Sequence, residues 1–198
     1  MVTTSCYNLA EYKQKYANCV LKVVDTSLLT PYMKAFHLNF SQRLPISLAE
    51  AWDFFSSPLN LAKITPEEMA FTVTSALQAD EKMYPGMIIT YKVSPVAGIK
   101  LNWMTEITQV EEHKYFIDEQ RFGPYKFWHH QHHFREIPGG VEMNDILTYG
   151  LPMGIFGNIA NSVFVAAKLQ EIFNFRKQKV IELFGDYAPV ANENKALY

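Results

Sequence analysis

The run Trp128-His129-His130-Gln131-His132-His133-Phe134 gathers four of the chain's six histidines into five positions. Imidazole exchanges protons near neutral pH and ligates transition metals, so acid-base chemistry and metal binding are the first readings to weigh. The residue pattern is that of a strand, in which side chains alternate between faces. One parity carries Trp128, His130, His132 and Phe134; the other carries Phe127, His129, Gln131, His133 and Arg135. The first is the more apolar, which turns His130 and His132 inward and His129 and His133 to solvent, so the four imidazoles do not converge. Downstream, Val141, Met143, Asp145, Leu147, Tyr149 and Leu151 share one parity, which puts the Asp145 carboxylate on an apolar face. Upstream, the set Tyr115, Ile117, Glu119 competes closely with Phe116, Asp118, Gln120. Ile117 and Glu119 are read as inward, because the other choice places two polar groups in the core.

These strands neighbour one another through the Gly123-Pro124 and Gly139-Gly140 turns, so His130, His132, Asp145 and Glu119 meet on one wall. Trp103, Trp128 and Tyr149 surround them, and these seven residues are the candidate ligand-binding set. Three uses of the polar patch stay open. The groups satisfy one another inside the core, since an unpaired buried carboxylate is costly. Alternatively they orient a ligand. As catalytic candidates, His130 or His132 would be a general base tuned by Asp145 or Glu119. Two inward histidines at i and i+2 with Asp145 or Glu119 also have the composition of a two-histidine, one-carboxylate metal site. Core hydrogen bonding explains the same string, and no metal or other cofactor is expected. There is no G-x-S-x-G nucleophile turn and no glycine-rich loop leading from a strand into a helix, which removes the support for serine hydrolase and nucleotide-binding readings.

The elements that must hold this patch are legible as periods. Phe36, Leu38 and Phe40 alternate with His37, Asn39 and Ser41, a first strand. Ser47 with Glu50 three residues on is a capping box that starts a short helix carrying Leu48, Ala51, Trp52 and Phe55 on one side. Pro58 opens a second small helix that ends before Pro66. From Met69 to Tyr149, strand-like runs (69–77, 87–93, 99–112, 114–122, 126–137 and 141–151) are separated by breaks rich in glycine and proline. Short links between strands mean an antiparallel meander. Residues 155–184 contain one glycine, Gly157, and carry a stripe of apolar positions that includes 166, 169, 173 and 180, a long amphipathic C-terminal helix. Residues 1–34 form an N-terminal extension with a helical stretch over 8–24 whose sticky face would pack on the domain or on a second subunit, leaving a homodimer open; residues 185–198 are a polar tail.

A hydrophobic fraction of 48% and a charged fraction of 19% are ordinary for one globular domain, while 14% aromatic residues supply enough rigid surface to line a cavity. A net charge of -2 gives no reason to expect nucleic acid as a partner. Cys6 and Cys19 both lie in the extension and cannot staple the domain, and no apolar run approaches a membrane span, so a cytoplasmic protein that is not membrane-embedded is expected.

Over residues 35–184 the chain resembles the START/Bet v 1-like (SRPBCC) superfamily. Glu119-Gln120, Gly123-Pro124, Trp128, His130, His132 and Phe134, followed by Asp145, Tyr149 and Pro152, are similar to a bacterial ligand-binding subgroup labelled cell-division inhibitor or cyclase/dehydrase-like. The resemblance implies an α+β helix-grip fold: a curved antiparallel sheet of about seven strands, two short helices and a long C-terminal helix enclosing a cavity. That superfamily spans lipid carriers, receptors, cyclases and oxygenase domains, so the fold does not name an activity. Binding of a small hydrophobic molecule (lipid, isoprenoid, quinone or polyketide-like) leads, with a cyclase, dehydratase or hydrolase and a non-catalytic interaction module as alternatives.

Overall fold

A computed structural model describes residues 34–94, 99–152 and 164–189. The extension helix, both cysteines, the 95–98 break and the stretch 153–163 expected to open the long helix lie outside them. The described chain runs β1 (Ala35–Leu44), α1 (Leu48–Phe55), a 3-10 turn (Pro58–Ile64), then β2 (Thr72–Val73), β3 (Ile88–Val93), β4 (Leu101–Glu111), β5 (Tyr115–Phe122), β6 (Phe127–Ile137), β7 (Gly140–Gly150) and α2 (Ala166–Phe184). The strands form one seven-stranded sheet in the order β1-β7-β6-β5-β4-β3-β2, every pair antiparallel. This is the helix-grip arrangement expected.

Local signals account for most boundaries. Ser47 Oγ accepts the Glu50 backbone N–H, starting α1 at Leu48. Its Trp52 and Phe55 pack edge-on or tilted against Phe134 of β6, at 5.6 and 5.8 Å between ring centres. Pro138 and Gly139 form the two-residue turn between β6 and β7, with Gly139 at φ 77, a left-handed value that favours glycine. On α2, Leu169, Phe173 and Val180 are buried, and Phe173 stacks on Phe40 of β1 at 3.9 Å. Each such side chain contributes roughly 1.5–3 kcal/mol of burial, so these three positions clamp the helix over the sheet.

The expected strand over 69–77 pairs only at Thr72 and Val73. Beyond them the Thr74 and Ser75 N–H groups both donate to the Thr90 carbonyl, at 2.7 and 3.3 Å, and Thr90 N–H donates to Ser75 Oγ at 2.6 Å. Gly140 allows a different close approach. A Cβ there would fall on the Leu44 carbonyl oxygen, where β1 ends against β7. Gly140→Ala is therefore expected to cost at the upper end of the roughly 1–3 kcal/mol typical of overpacking, read as a lower urea midpoint at unchanged slope.

Candidate functional site

Sheet register assembles the site. β6 pairs with β7 so that His132 stands opposite Asp145, and with β5 so that Asp118 stands opposite His130 and Phe116 opposite His132. Residues opposite each other share a face, so two carboxylates and two imidazoles come together over the concave side.

They form an alternating ring. His132 Nε2 lies 2.8 Å from Asp118 Oδ2 and its Nδ1 lies 2.7 Å from Asp145 Oδ1. His130 Nδ1 lies 3.4 Å from the same Asp118 oxygen and its Nε2 3.2 Å from the same Asp145 oxygen. The imidazole centres are 3.9 Å apart. Phe116 stacks on His132 at 4.2 Å, and Trp128 Nε1 donates to Asp118 Oδ1 at 3.3 Å. The Asp145 approaches are short but out of line for hydrogen bonds, and His130 Nε2 and Asp145 Oδ1 are buried without one.

Burial alone would lower the His130 pKa, but polar contact with Asp118 and Asp145 and their charge outweigh it and push it up to about 9. For Asp118 and Asp145, burial works upward, and the two imidazoles overcome it and hold both carboxyls well below the usual range. At neutral pH the ring therefore keeps both carboxylates ionised and His130 charged.

The ring forms one wall of a cavity of about 120 Å³ between sheet and helix. Asp118, Trp128, His130 and His132 line it on one side; Phe54, Phe55, Leu61, Ile64, Ile89 and Ile107 supply apolar walls. Arg176 of α2 also lines it, its guanidinium over the Phe173 ring at 5.1 Å. Its Nε is buried without a hydrogen bond, and no carboxylate among the described residues pairs with it. Tyr91, on the same lining, has its hydroxyl 3.0 Å from Thr105 Oγ1 and its pKa raised, first by burial and then by Asp118.

Of the candidate set, His130, His132 and Trp128 line this cavity, and Asp145 touches both histidines from beside it, bordering a second cavity under β1. Trp103 and Tyr149 are buried but flank the wall: Trp103 packs on Trp128 at 5.2 Å and donates to Thr105 Oγ1, while Tyr149 packs with Phe36 and Tyr125. Glu119 is a correction. It lies on the outer face, 2.9 Å from His129 Nδ1 and 3.0 Å from Arg121, and Asp118 takes the inward place. Two polar groups in the core count against the Asp118 parity, yet both are partnered here. Asp118 meets the ring, and Gln120 accepts the Tyr125 N–H and donates to the Tyr125 carbonyl, bracing the Gly123 turn. Arg176 was also missed, although it occupies the stripe position between Phe173 and Val180 where an apolar residue is due.

No family model matches the chain, and no curated protein matches it in sequence. Solved structures match it in fold. Protein Ms6760 from Mycobacterium smegmatis is 18% identical with a TM-score of 0.54, covering 77% of this chain and 98% of that one. Ginseng major latex-like protein 151 from Panax ginseng is 11% identical with a TM-score of 0.54, covering 76% and 97%. Ara h 8.0201 is 14% identical with a TM-score of 0.50, covering 75% and 99%. The chain thus has the helix-grip fold of the Bet v 1-like proteins. Among the described residues no helix is long and apolar enough to cross a membrane.

Proposed function

We propose that the protein binds a small, largely apolar molecule with one polar or anionic end in the cavity between the sheet and α2. The observation that carries this reading is the asymmetry of the lining: apolar walls on most sides, with a charged ring and an Arg176 guanidinium that has no carboxylate partner among the described residues. Apolar walls supply affinity and a few convergent polar groups supply orientation. Size narrows the ligand classes. An apolar cavity of about 150 Å³ accommodates benzene, so about 120 Å³ suits a single ring, such as a quinone-like or phenolic head group, and a full lipid chain would require the walls to move.

Native mass spectrometry of protein purified from its own host is expected to show one co-purifying small molecule per chain. In titrations, ring-sized aromatic carboxylates should bind more tightly than their uncharged amides. A hydrogen bond to a charged group is worth about 1.5–3 kcal/mol, so Arg176→Met should weaken the acids roughly 10-fold to 100-fold and leave the amides nearly unchanged. Equal binding of acid and amide, unaltered in Arg176→Met, would remove the anionic end from the proposal; absence of any bound molecule in both experiments would remove the ligand.

A further inference from the structure

We propose that Asp118, His130 and His132 bind one divalent first-row transition-metal ion, with Asp145 as the outer carboxylate that orients both imidazoles. Among the described residues these three offer one donor atom each within 4.8 Å of one another. Asp118 Oδ2 stands 2.8 Å from His132 Nε2 and 3.4 Å from His130 Nδ1. Ligand atoms about 2.1 Å from a common centre stand roughly 3.0–3.4 Å apart at right-angled to tetrahedral geometry; the two carboxylate–imidazole separations lie close to that range, and all three donors lie within 4.8 Å of one another. Two imidazoles and one carboxylate are a donor set that suits zinc-like and ferrous-like ions.

The far side of the ring supports the same assignment. Metal-bound imidazoles ordinarily direct their other nitrogen at a carboxylate or carbonyl, which sets tautomer and ring orientation. Here the other nitrogen of each histidine faces a single oxygen, Asp145 Oδ1, at 2.7 and 3.2 Å. This is why the inner carboxylate is Asp118, and not Asp145 or the outward-facing Glu119. Donor counting points the same way. With a cation bound on the Asp118 side, both imidazoles are neutral and carry one N–H each, on the nitrogen turned towards Asp145. The charges then cancel: two carboxylates, two neutral imidazoles and one dication, a favourable sum for a buried cluster. His130 Nε2 and Asp145 Oδ1, both buried without a hydrogen bond, are the pair that this arrangement would bring into use.

The proposal stands beside the ligand reading and does not rest on it, because the ion can be tested alone. Full-length protein stripped with a chelator is titrated with Co2+, following its visible ligand-field absorption, and then with Zn2+ in competition. One ion per chain is expected. Asp118→Asn and His132→Asn should weaken Co2+ by about 100-fold or more and Asp145→Asn by roughly 10-fold to 100-fold, while His129→Gln/His133→Gln, on the outer face, should stay within about twofold of wild type. Proton NMR of the wild-type Co2+ form should show two shifted, slowly exchanging imidazole N–H signals, a readout that needs no folded variant. Failure of the wild type to bind one Co2+ or Zn2+, loss of binding in the outer-face double variant, or fewer than two such signals would each overturn the site.

Discussion

Asp145→Ala is expected to destabilise the fold by about 3–5 kcal/mol, the range for removing one partner from a buried ion pair. The side chain sits on the apolar face of β7 between the buried Met143 and Leu147, and its Oδ1 is the oxygen that both imidazoles approach. Truncation leaves His130 and His132 facing a void, and among the described residues Asp118 is the one carboxylate that still touches them. Asp145→Asn keeps the volume and one acceptor, so it should lose less than half as much. Urea unfolding of the metal-free proteins tests the order. Equal losses in the two variants would mean that the charge alone, and neither the volume nor a neutral acceptor, holds the ring, and a loss under about 1 kcal/mol in Asp145→Ala would mean that the ring does not contribute to stability.

Stability of the metal-free protein is expected to form a plateau between about pH 4 and pH 6.5 and to decline on both sides. His130 is raised from 6.5 to about 9. A raised folded pKa contributes stability that is complete below the unfolded value and is lost as pH rises through the folded one, so the alkaline decline runs from about 6.5 to about 9. That displacement corresponds to on the order of 3 kcal/mol, or roughly 6–12 °C in melting temperature for a chain of this size. Asp118 and Asp145 act in the opposite sense. Their depressed values contribute stability present above the ordinary 3.8 and lost as pH falls below it. His130→Gln should flatten the alkaline arm and leave the acid arm in place. A melting profile level from pH 6 to pH 9 in the wild type would contradict the assignment.

Much of the site was legible in the residues alone. The inward placing of Trp128, His130, His132 and Phe134 follows from alternation over a long strand where one set is plainly the more apolar, and the same holds for Met143, Asp145 and Leu147. β5 was different because its two parities carry nearly equal apolar content. What decides there is the pairing of Asp118 with His130, together with an irregular register between β4 and β5 near Thr108, and neither is visible along one strand. Arg176 is hidden for a related reason. Its place in the helical stripe can be read, but whether it snorkels to solvent or enters a cavity depends on what the sheet offers beneath it.

The order of elements, the α1 cap at Ser47, the Pro138-Gly139 turn and the inward faces of β1, β6 and β7 were determined by local sequence, because period, capping and turn geometry are short-range properties. The identity of the inner carboxylate, the closing of two aspartates and two histidines into a ring, and the entry of Arg176 into the same cavity lining were decided only by tertiary structure. Those features depend on cross-strand register and on the depth at which α2 lies over the sheet, and both are set by packing between residues far apart in the chain.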